Sequence, residues 1–238
     1  MKADILAFGS HPDDIELSCG GTLMKAVDEG KKVAIVDLTE GELGTRGNAE
    51  LRRQEAADAA KIMGVSERIN LHMRDGFFVN DEKHQLEIIK MVRHYTPDIV
   101  ICNAPSDRHP DHGKGSDLVR EACFLAGLRK IATTYKDVNQ QAFRPRVVFS
   151  YLQDQYIKPD FLVDISGYME RRLQAIMAYK SQFHNPDSNE PETYISTPQF
   201  KEGLTARTLL FGKYIGVQNA EGFIAHKQIG VRSVFDIL

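Results

Sequence analysis

His11-Pro12-Asp13-Asp14 and His109-Pro110-Asp111-His112 are the two places in this 238-residue sequence where groups able to bind a metal and move protons are crowded together. With 8 His, 9 Pro and 18 Asp, composition alone predicts roughly 0.02 His-Pro-Asp tripeptides in the chain, and there are two. Tight turns use Pro and Asp, but they have no need of histidine in both. Imidazole and carboxylate are the ligands of Zn²⁺ and Fe²⁺ sites that hydrolyse, and three protein ligands leave a further position for water. His11 and Asp14, three residues apart in a loop entering a helix, can point to one spot, and His112 can close the triad from a neighbouring loop. That leaves Asp13 and His109 off the metal. A spare carboxylate can take the proton of the water, while a second imidazole can either stabilise a developing oxyanion or protonate a leaving group. Asp111 would orient a histidine from behind. Zn²⁺ and Fe²⁺ both accept this ligand set.

Such groups meet only if the chain brings the two loops together, and the hydrophobic pattern supplies the means. Ile5–Phe8, Lys32–Leu38, Ile69–His72 and Ile99–Cys102 read as strands. They alternate with helical segments at Leu17–Glu29, Glu50–Met63, Lys83–Tyr95 and Asp117–Leu128. This βαβ rhythm predicts an α/β fold, a Rossmann-like, mostly parallel sheet sandwiched by helices with right-handed crossovers. Both motifs follow strands, and in open parallel sheets ligands bind outside the carboxyl ends of strands. Beyond about residue 135 the pattern changes. Val147–Leu152 and Phe161–Ile165 read as strands, Met169–Tyr179 and Phe200–Tyr214 as helices, and His184–Thr197 as a polar surface loop. The expectation is one domain, with a core over about 1–135 and an extension over about 136–238 packed on it.

Composition removes other classes. The net charge of −3 with 42% hydrophobic residues is that of a globular chain, and a core of this size needs no disulfide or metal for stability. Basic residues are scattered, which gives no footprint for nucleic acid, and no run of about 18 apolar residues offers a membrane span. The three cysteines, Cys19, Cys102 and Cys123, have no disulfide-like spacing, and the first residues enter a strand-like run without the pattern of a signal peptide. A small-molecule hydrolase of the cytoplasm is the expectation.

The two motifs together resemble the signature of the zinc-dependent N-acetylglucosamine deacetylases of the LmbE/PIG-L type. Further segments, Asp37-Leu-Thr-Glu40, Glu50-Leu-Arg52, Asp107-Arg-His-Pro-Asp-His112, Ala126-Gly-Leu-Arg-Lys130, Val163-Asp-Ile-Ser166, Tyr179-Lys-Ser-Gln-Phe183 and Ala220-Glu-Gly-Phe223, are similar to the bacillithiol-pathway branch of that family. The resemblance implies deacetylation of N-acetylglucosaminyl malate. It implies metal binding by His11, Asp14 and His112, Asp13 as general base, His109 as electrostatic partner, and assembly into a homo-oligomer, a hexamer. Arg52 and Arg108, on their own, read as solvated charges. Through the resemblance they become readers of the malate carboxylates, which guanidinium forks match. Two other readings share these residues: a thiol-conjugate amidase of the same superfamily, and a sugar-binding protein that keeps the metal as structure. Retention of Asp13 speaks against the second. Gly41–Gly47 lacks the Gly-Lys-Ser/Thr of a phosphate loop and reads as a rim over the site. Glu16 either bonds a ligand histidine or begins a helix, and His184 is a substrate-contact candidate.

Overall fold

The computed structural model describes residues 2–183 and 189–237. In chain order the elements are β1 (Ile5–Gly9), α1 (Asp14–Asp28), β2 (Val33–Thr39), α2 (Ala49–Met63), β3 (Glu67–Met73), α3 (Glu82–Tyr95), β4 (Ile99–Cys102) and α4 (Pro110–Leu125). A two-residue-strand hairpin follows, β5 (Thr134–Tyr135) with β6 (Val138–Asn139). Then come β7 (Val147–Tyr151), β8 (Phe161–Asp164), α5 (Met169–Met177), α6 (Pro198–Ile215) and β9 (Ala220–Ala225). His184 lies outside the described residues.

One sheet runs β3-β2-β1-β4-β7-β9-β8. β3, β2, β1, β4 and β7 pair in parallel, while β9 is antiparallel to both its neighbours, so the expected mostly parallel α/β sheet is what forms. β1 explains why its sequence is apolar without alternation. Leu6 and Phe8 face a layer of Val92, Tyr95, Leu118 and Val119, whereas Ile5 and Ala7 face Ile15, Leu23 and Met24. The segments after residue 135 do not form a separate layer, because β7, β8 and β9 extend the same sheet. Strand order reverses at β1, with β2 on one side and β4 on the other, and the two His-Pro-Asp loops emerge side by side at that switch point.

The structure departs from the sequence reading at both helices that carry the motifs. α4 starts at Pro110 rather than Asp117, so Asp111 and His112 occupy its first turn. Gly113 and Gly115 hide this start in the sequence. Gly115 is required by close approach, since a Cβ there would lie 2.4 Å from Ser10 Oγ in the other motif loop. α1 begins at Asp14 rather than Leu17 and is broken at Cys19 (φ −138°, ψ 15°). The freed groups at the break are taken up from far along the chain. Glu221 accepts from the Gly21 and Thr22 amides at 3.0 and 2.7 Å, and the Leu17 carbonyl accepts from Arg172 and Arg207. β9, which carries Glu221, escapes a period reading because Ala220-Glu221-Gly222 has little β propensity.

Candidate active site

Ser10 joins the two loops. Its Oγ is 3.1 Å from Asn103 Oδ1 and 2.9 Å from the Asp111 carbonyl, and its own carbonyl accepts from the Thr39 amide and hydroxyl. His11, Asp13, Asp14, His109 and His112 thereby come together in the lining of one cavity of about 410 Å³, with Arg52 and Arg108 also in its wall. Asp111 lies behind the lining, fully buried.

His11 and His112 each have one nitrogen occupied by a carboxylate and the other turned to Asp14. His11 Nε2 is 3.0 Å from Asp75 Oδ1 and 3.5 Å from Asp111 Oδ2, and its Nδ1 is 3.7 Å from Asp14 Oδ2. His112 Nδ1 is 2.5 Å from Asp107 Oδ2, and its Nε2 is 3.1 Å from Asp14 Oδ1. This is the carboxylate–histidine arrangement that orients metal ligands and makes them more basic. Imidazole nitrogen and carboxylate oxygen are donors that suit a divalent cation, and Asp14 lies between His11 Nδ1 and His112 Nε2. His109 is within reach too, since nitrogens of His11, His109 and His112 lie within 4.8 Å of one another.

Burial lowers the pKa of both His11 and His112, yet their partners win. Asp111 and Asp75 take His11 up to about 10, and Asp14 with Asp107 takes His112 to about 9. Burial works to raise Asp14, but His112 and His11 hold it far below the usual carboxylate range. Asp13 behaves in the opposite sense. Burial raises it to about 7 even though Arg52 pulls it down, so this carboxylate can gain and lose a proton near neutrality. The His109 pKa is lowered by burial and by the neighbouring His11 and His112. His109 Nδ1 accepts from the Asp111 amide at 3.3 Å, which leaves Nε2 as the protonated nitrogen of the neutral ring.

The two arginines differ. Arg52 is buried, with its Nη2 on Asp13 Oδ2 at 3.1 Å and on the Pro12 carbonyl. Arg108 is 48% exposed, lies over the Tyr194 ring at 4.3 Å and sits 3.4 Å from Asp154. Among the described residues Glu16 bonds no histidine. It is buried against Arg68 and Tyr179. Sequence reading missed Asp75, Asp107, Asn103 and Gln153. Asn103 Nδ2 bonds Asp14 and Gln153, and Gln153 Nε2 reaches Asp14 Oδ1 at 3.0 Å. All four follow strands at the carboxyl edge of the sheet, the one signal that could have found them. No helix among the described residues is long and apolar enough to cross a membrane.

Known proteins resemble this chain along most of its length. The family model PIG-L, described as GlcNAc-PI de-N-acetylase, matches residues 6–123, the stretch holding both motifs. Diacetylchitobiose deacetylase of Thermococcus kodakarensis is 30% identical over 228 residues, 92% of this chain and 81% of that protein. Probable N-acetyl-alpha-D-glucosaminyl L-malate deacetylase 2 of Bacillus anthracis is 26% identical over 193 residues, 75% of this chain and 81% of that protein. Among solved structures, the conserved protein TT1542 of Thermus thermophilus superposes with a TM-score of 0.86 at 35% identity, covering 97% of this chain and 98% of that one.

Proposed function

The chain belongs to the PIG-L/LmbE family of deacetylases, hydrolases of a linear amide, and on that premise we propose that it removes acetyl from an N-acetylglucosaminide, with N-acetylglucosaminyl malate as the substrate. The observation that carries the reading is the meeting of His11, Asp13, Asp14 and His112 in the wall of one cavity, with the Asp13 carboxylate paired to Arg52. His11, Asp14 and His112 would hold Zn²⁺, with Fe²⁺ compatible with the same donors. When bound, the cation supplies Lewis acidity toward the amide carbonyl and the attacking water.

The remaining work falls to side chains. Asp13 takes the water's proton as the water oxygen bonds the acetyl carbon and passes it to the amide nitrogen as the C–N bond breaks, releasing acetate and the free amine, and Arg52 keeps that carboxylate aimed into the cavity. His109, neutral and protonated on Nε2, donates to the carbonyl oxygen as charge develops on it. Asp75 and Asp111 fix the tautomer of His11, and Asp107 fixes that of His112. Arg108, at the half-exposed mouth, meets the malate carboxylates, whereas Arg52, paired with Asp13, serves the base. Self-association through the exposed apolar C-terminal segment, where Phe235 is 92% exposed and Val234 75%, belongs to the same proposal, and light scattering tests it.

Acetate release from N-acetylglucosaminyl malate, with and without a chelator, tests the activity. Chelator-sensitive release is the expected result, and no release from this or any neutral N-acetylglucosaminide by the metal-loaded protein would reject the assignment.

A further inference from the structure

Arg207, on α6, is a cation in the cavity wall with no counter-ion among the described residues. Within that set it makes one hydrogen bond, from Nη2 to the Leu17 carbonyl at 3.2 Å, and no carboxylate oxygen comes within the 4.0 Å of an ion pair. The acids that act on it from farther off are Glu221, Asp154 and Asp107. Each is engaged elsewhere. Glu221 binds Arg172 and the amides at the break in α1, Asp154 binds Arg108 and Tyr194, and Asp107 binds His112 and the Gln155 amide. Burial, with Arg172 nearby, lowers the Arg207 pKa only to about 10, so it stays charged at neutral pH.

Two other interior arginines are fully engaged. Arg68 is gripped by Asp37 and Glu16, and Arg93 by the carbonyls of Ala126, Leu128 and Ile131. Arg207 is instead left facing the cavity beside an apolar strip of Leu17, Ile195, Phe200 and Leu204 that lines the same space. A neutral group filling that space would strip water from the guanidinium and return nothing, whereas an anion would return a charge-assisted hydrogen bond.

We propose that Arg207 is the anion-reading residue of the aglycone subsite, which takes an N-acetylglucosaminide whose aglycone bears a carboxylate or a phosphate. The inference rests on the deacetylase reading. It gives Arg108 a second cation in the lining of the same cavity, a role that Arg52, committed to Asp13, does not fill.

The experiment compares wild type, Arg207→Ala and Arg207→Lys, all metal-loaded, on N-acetylglucosaminyl malate, N-acetylglucosamine 1-phosphate and neutral methyl N-acetylglucosaminide. The readout is the ratio of kcat/KM for each anionic glycoside to that for the neutral one, which does not depend on the fraction of variant that folds. Arg207→Ala should lower the ratio by about 10- to 100-fold, chiefly through KM, and Arg207→Lys should recover part of it. The glycoside with the larger wild-type ratio names the anion as carboxylate or phosphate. An unchanged ratio in Arg207→Ala overturns the inference, as does a wild type that turns over only the neutral glycoside; either leaves the deacetylase reading standing. A wild type that turns over none of the three overturns both.

Discussion

The two His-Pro-Asp loops share a tripeptide and adopt opposite backbones. In the second, His109 is an ordinary N-cap in extended conformation (φ −84°, ψ 124°), its ring accepts from the Asp111 amide, and Pro110 takes the first helical position. In the first, the capping position falls on Asp13 at φ 119° and ψ −26°, a region that favours glycine, and its side chain makes no cap. It turns away from its own helix to meet Arg52 inside the cavity. A side chain that caps is held by its backbone, and one released from capping is available for chemistry. The release costs about 1–3 kcal/mol of backbone strain, which the Arg52 pair and the Ser10 bridge between the loops sustain.

The contrast can be broken in graded ways. The largest effect belongs to the groups the loops pool. His11→Ala, Asp14→Ala and His112→Ala should each lose metal, read by mass spectrometry, and with it nearly all turnover; full metal in all three would dissolve the shared centre. Next, Asp13→Asn should keep metal and lose about 10²–10⁴ in kcat, while His109→Ala should lose about 10²–10³. Were Asp13→Asn to stay within about threefold of wild type, the strained loop would have no chemical purpose. Behind the second loop, Asp107→Asn should weaken metal affinity by about 10- to 100-fold in a competition titration, because His112 loses its orienting partner. The smallest effect is structural. Pro110→Ala should lower the unfolding free energy by about 0.4–1 kcal/mol in urea with turnover little altered, as expected of a relaxed cap. A drop in turnover of tenfold or more would mean that this loop, too, is under tension.

Much of this arrangement is legible in the residues themselves, and the illegible part has a common cause. β1, β2 and β4 declare themselves because strands covered on both faces must be apolar throughout. The His and Asp of the motifs declare themselves by crowding. Asp75, Asn103 and Gln153 are single polar residues after three different strands, and only tertiary assembly makes them neighbours of His11, Asp14 and His112, while Asp107 shares the second motif's loop and reaches His112 five residues on. Arg52 shows the same limit from the other side. Its charge is plain in sequence, but its partner Asp13 lies 39 residues away and is reached only through the packing of α2 against α1. The start of α4 is hidden because Gly113 and Gly115, the latter needed for close approach to Ser10, look like helix breakers.

The break in α1 sets an order on the making of the protein. Gly21 and the Glu221 carboxylate that holds its amide are 200 residues apart, so the helix leading out of the first motif cannot be finished until the last strand of the sheet has left the ribosome. Closing a loop that long comes late in folding, after the local βα units have formed. A nascent chain halted before residue 221 therefore presents both His-Pro-Asp loops on an incomplete support, which β9 completes.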